Sequence, residues 1–92
     1  MAVRQKILVA EDDPFQRMSI VDILIMSNYD VTPVENGKQA IDQLKDFSIQ
    51  FDMVLLDLLM PEMSGSDVLE AMMQDEYLRR IPVVVMSSRN DK

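Results

Sequence analysis

Three short apolar runs in this chain each stop dead at a polar residue, and that pattern limits the fold more than any other feature. Ile7-Leu8-Val9-Ala10 stops at Glu11-Asp12-Asp13, Met53-Val54-Leu55-Leu56 stops at Asp57, and Val83-Val84-Val85-Met86 stops at Ser87-Ser88. An unbroken apolar run of this length reads as a strand buried on both faces, which is the mark of a parallel sheet. Between the first two runs lies Asp30 to Val34, a fourth short strand. Its Pro33 cannot donate to a ladder, so this strand belongs at an edge.

Helical spacing fills the gaps. Asp13-Pro14 supplies an N-cap followed by Pro at the first helical position. Phe15, Met18, Val21, Leu24 and Ile25 then recur at helical spacing, which predicts a first helix to about Asn28. After the turn signal Glu35-Asn36-Gly37, Ala40, Ile41 and Leu44 mark a second helix ending near Phe47. Val68, Leu69, Met72 and Met73 mark a third from about Ser66 to Leu78. Strand and helix alternate throughout, which predicts an α/β fold with helices on both faces of a parallel sheet. The 92 residues make one domain at most. With 48% apolar residues the chain has enough material for a core and is not a disordered segment.

Composition excludes several chemistries. There is no cysteine and no histidine. Disulfides, thiolate or imidazole metal sites and histidine-based acid–base catalysis by this chain are therefore ruled out. A net charge of −7 argues against direct nucleic-acid binding, which needs a basic patch. No apolar run is long enough to span a membrane and the start lacks a signal-peptide pattern, so a soluble, cytoplasmic protein is the expectation.

In an open parallel sheet, ligands bind beyond the carboxyl ends of the strands. Right-handed crossovers bring Glu11, Asp12, Asp57 and Ser87 to one rim. Crowded carboxylates repel one another, and a divalent cation relieves that repulsion. An all-oxygen set without His or Cys selects a hard ion such as Mg²⁺. Such an ion also neutralises a phosphoryl group arriving on a carboxylate, which makes Asp57 a candidate nucleophile. Taken singly, each residue has an ordinary reading. Asp13 serves as a helix cap, Asp57 caps a loop, and Ser87 is a polar strand end. The methionines, Met60 and Met63 among them, read as flexible core and loop filler.

With these residues in view, the chain resembles the receiver domain of two-component response regulators. The resemblance rests on Lys6 to Pro14 with Arg17, on Asn36-Gly37, on Asp52 to Gly65, and on Ile81 to Ser87. It implies a flavodoxin-like doubly wound sheet of order 2-1-3-4. It implies Asp57 as phosphoacceptor, with Asp12 a direct Mg²⁺ ligand, Glu11 acting mainly through water, and the Leu59 carbonyl as a further ligand. Ser87 would be the switch hydroxyl, and Pro61 and Gly65 would shape the loop. A sensor histidine kinase or phosphotransfer protein would donate the phosphoryl group.

The family's fifth strand, its terminal lysine and the last two helices have no counterpart in residues 1–92, and Lys92 is no substitute. The expectation is an incomplete domain whose Val83 to Met86 edge promotes self-association. A receiver-like protein-binding module without phosphorylation is the alternative. A phosphatase with an aspartyl nucleophile is disfavoured, because Leu58 and Leu59 follow Asp57 where a second acid is needed.

Overall fold

The computed structural model describes residues 3–60 and 62–86. The chain runs β1 (Lys6–Ala10), α1 (Pro14–Met26), β2 (Asp30–Val34), α2 (Gly37–Leu44), β3 (Met53–Asp57), α3 (Gly65–Met73), a 3-10 turn (Leu78–Arg80) and β4 (Val83–Met86). All strands pair in parallel, in the order β2-β1-β3-β4. The sequence expectation of a 2-1-3-4 sheet is met, with Pro33 on the β2 edge.

Register explains the two-sided burial of the central strands. Leu8 lies beside Val54, and Ala10 beside Leu56. These four join Ala40, Ile41 and Leu44 of α2 and Val68 and Met72 of α3 in one buried cluster, closed below by Phe51 and Leu78. Ile7 and Val9, the alternate residues of β1, are buried too but lie outside that cluster. Strand alternation sends them to the opposite face. There α1 packs on β1 and β2. Each fully buried Leu contributes roughly 1.5–3 kcal/mol relative to exposure.

The helix starts follow the expected capping chemistry. Asp13 Oδ1 accepts from the N–H groups of Phe15 and Gln16 at 2.9 and 3.4 Å. Asn36 Oδ1 accepts from Gln39 N–H, and Ser64 Oγ from Asp67 N–H. Three helix ends differ from the sequence expectation. The first helix stops at Met26, where Ser27 caps it and Asn28 takes a left-handed φ of 73°. The second stops at Leu44, not near Phe47, and the third at Met73, not Leu78. The last case has a local cause. Asp75 Oδ1 accepts from Tyr77 and Leu78 N–H at 2.8 and 3.0 Å, which starts a separate 3-10 turn.

Candidate functional site

The strand ends place three carboxylates at one rim. Glu11 follows the last residue of β1, Asp12 comes next, and Asp57 is the last residue of β3. One carboxylate oxygen from each lies within 4.8 Å of the other two. Glu11 is 1% exposed and Asp57 is completely buried, whereas Asp12 faces solvent. Two buried acids thus stand beside one that is open to solvent.

Hydrogen bonds fix the orientation of these groups. Leu59 N–H donates to Asp57 Oδ1 at 3.1 Å. Asp13 N–H donates to Glu11 Oε2 at 3.1 Å. Glu11 N–H continues the ladder by donating to Val34 carbonyl oxygen at 3.1 Å. Burial pushes the Glu11 carboxyl up to about 7, the Asp13 N–H pulls against that, and the hydrogen bond and negative charge of Asp57 add to the rise. The three carboxylates offer only oxygen donors, and their crowding is the kind a hard divalent cation relieves. The residues present thus fit Mg²⁺.

The loop after β3 is held close to Asp57. Gly65 N–H donates to the Leu58 carbonyl at 3.0 Å. A Cβ at Gly65 would lie 2.3 Å from the Asp57 carbonyl oxygen, so only glycine permits this approach. Glu62 in the same loop holds a φ of 71°, a conformation uncommon outside glycine. Leu59 is half exposed at the rim. Ser87 and Pro61, both singled out from sequence, lie outside the described residues.

Two contacts at the site were not anticipated from sequence. Arg17 Nη1 donates to the Glu11 carbonyl at 2.7 Å and to the Asp12 carbonyl at 3.4 Å. Gly37, read as a turn residue, abuts the loop after β3, since a Cβ there would lie 2.0 Å from the Met63 carbonyl oxygen. Arg17 and Gly37 are among the residues that carry the family resemblance, but nothing in the sequence indicates these backbone contacts.

The chain belongs to the response regulator receiver domain family, whose sequence profile matches residues 7–92. Two-component response regulator ORR3 of Oryza sativa subsp. indica is 38% identical over 84 residues, which is 91% of this chain and 63% of that protein. The receiver domain of a histidine kinase from Syntrophus aciditrophicus is 32% identical with a TM-score of 0.86, over 95% of this chain and 64% of that one. The receiver domain of sensor histidine kinase PA1611 from Pseudomonas aeruginosa, solved with magnesium in its active site cleft, is 29% identical with a TM-score of 0.84, over 90% of this chain and 66% of that one. Among curated relatives the chain spans from 10% of one protein to 40% and 63% of others. The class is thus a receiver domain of two-component signalling, on a flavodoxin-like sheet. Such domains act generally as switches.

Proposed function

We propose that Asp57 accepts a phosphoryl group from a phosphohistidine and that this modification switches a signalling output. The observation that supports it is the convergence of Glu11, Asp12 and Asp57 within 4.8 Å from two strand ends, with Asp57 completely buried. In the transfer, an Asp57 carboxylate oxygen forms the new bond to phosphorus. The phosphorus–nitrogen bond to the donor imidazole breaks, and its electron pair stays on that nitrogen. The Leu59 N–H on Oδ1 fixes the rotation of the attacking carboxylate. Mg²⁺, held by Asp12, Asp57 and the Leu59 carbonyl with Glu11 acting through water, would neutralise charge on the phosphoryl oxygens. Ser87 would hydrogen-bond one of those oxygens, and Pro61 and Gly65 would hold the loop in shape.

The donor in this reading is a sensor histidine kinase or a phosphotransfer protein, in the cytoplasm. Among the described residues no helix is long and apolar enough to cross a membrane. A second copy of the chain is the proposed partner of the β4 edge. That edge is uncharged, and Val84 and Val85 are 44% and 45% exposed along it. The opposite edge, β2, carries Pro33 and the charged Asp30. Among the described residues no strand pairs with the outer side of β4, and an apolar edge is a template for strand pairing. Val84→Lys is expected to move the protein from associated to monomeric species in light scattering. Equal mass for the two proteins would remove this partner.

The phosphoacceptor reading is tested by intact mass after incubation with a small phosphodonor. A gain of one phosphoryl group that requires Mg²⁺ and vanishes in Asp57→Asn is the expected outcome. The same gain in Asp57→Asn would place the acceptor elsewhere. No gain in either protein would favour a receiver-like binding module, which has no need to keep three acids together.

A further inference from the structure

Arg17 lies one turn inside α1, where its backbone N–H donates to the Asp13 carbonyl at 2.8 Å. Its side chain turns back to the rim and bonds the carbonyls of Glu11 and Asp12. Guanidinium groups favour carboxylates, which they bind in bidentate fashion. Here carboxylates cluster close by, yet among the described residues the salt bridges are Lys6–Asp30 and Lys38–Asp42, and Arg17 forms none. From this geometry we infer that Arg17 is a positioning residue. It ties down the backbone of the acidic pair so that the Glu11 and Asp12 side chains meet Asp57, and it leaves the carboxylate oxygens for a cation. The inference rests on the reading of the rim as a Mg²⁺ and phosphoryl site.

Two physical effects of Arg17 act in opposite directions, which makes the inference decidable. As a fixed positive charge, it repels a cation, so its removal would tighten Mg²⁺ binding. As the tie on the β1–α1 turn, it holds the ligand geometry, so its removal would weaken binding. The turn has few other ties. Glu11 N–H bonds Val34, Asp13 N–H bonds the Glu11 carboxylate, and Asp13 caps the helix. Of these contacts, only those of Arg17 reach the carbonyl groups of Glu11 and Asp12. Losing them would leave the part-buried Glu11 carbonyl without its 2.7 Å donor and the loop free to rotate.

The experiment is Mg²⁺ titration by calorimetry on wild type, Arg17→Met and Arg17→Lys, with circular dichroism to confirm that each is folded. Groups that support metal ligands typically change affinity by about 10–100-fold when removed, and a loss in that range is expected for Arg17→Met. Arg17→Lys keeps the charge and one donor, so an intermediate loss is expected. Unchanged or tighter binding in a folded Arg17→Met would overturn the inference and leave the site reading intact. If Arg17→Met does not fold, Arg17→Lys decides, and wild-type affinity in that variant overturns the inference. Absence of Mg²⁺ binding by the wild type would overturn the site reading and this inference together.

Discussion

The two faces of the sheet are covered very differently. On one face α2 and α3 lay Ala40, Ile41, Leu44, Val68 and Met72 onto Leu8, Ala10, Val54 and Leu56, and all of these are buried. On the other, α1 is the longest helix of the described chain and yet has no buried residue. Phe15, Met18, Ile23, Ile25 and Met26 of α1 are all exposed. Between its polar Gln16, Arg17 and Asp22, α1 sets apolar side chains on more than one side, so it carries more apolar surface than its sheet contact covers. The lesson is that apolar spacing locates a helix without saying how much of it is covered.

That contrast breaks most sharply under truncation of large side chains. Leu56→Ala, in the covered face, is expected to cost about 2–5 kcal/mol in denaturant unfolding, the usual range for a buried Leu. Ile25→Ala, on the outer side of α1, should stay within about 0.5 kcal/mol of wild type, as surface substitutions usually do. Similar costs for the two would mean that α1 is covered in solution.

The rim where both faces end gives the next largest effect. The Glu11 carboxyl rises from 4.5 to about 7 on folding, chiefly through burial. A raised folded value means that the folded state binds the proton more tightly. The associated stability is fully present below 4.5 and is lost as pH climbs through about 7. In buffer stripped of divalent cations, the melting temperature should therefore fall across that window, and Glu11→Gln should flatten the fall. A wild-type profile that rises instead would show that burial does not govern Glu11.

The smallest expected effect comes from the outer surface of the well-covered side. Lys38 and Asp42 pair at 3.6 Å on α2, with both side chains about two-thirds exposed. Lys38→Ala should change unfolding free energy by roughly 0.5 kcal/mol or less, since exposed pairs of this kind contribute little. A larger loss would mean that helix surface, and not only core, distinguishes the two sides.

Much of this architecture could be read from the chain. The apolar runs became β1, β3 and β4, Pro33 marked an edge strand, and the acids after Ala10 and Leu56 came together. Helix ends were harder because Lys45 and Gln74 cap in ordinary right-handed conformations, with no Gly or Pro to announce a stop. The Asp75 cap was hidden because an acid amid charged residues gives no signal of a 3-10 turn. Contacts to backbone carbonyls, such as those of Arg17, were invisible because an acceptor that every residue carries leaves no mark in sequence. The same holds for Asp52, whose Oδ2 accepts from Lys6 N–H at 2.8 Å where β1 begins.

The tight approach of Gly65 to the Asp57 carbonyl bears on how variants of this chain would be interpreted. A side chain at position 65 has no space of its own, so the strain is passed to the end of β3. An allele there would retain every acidic residue and still displace the backbone that carries the Asp57 carboxylate. Inspection of charge alone would classify it as harmless.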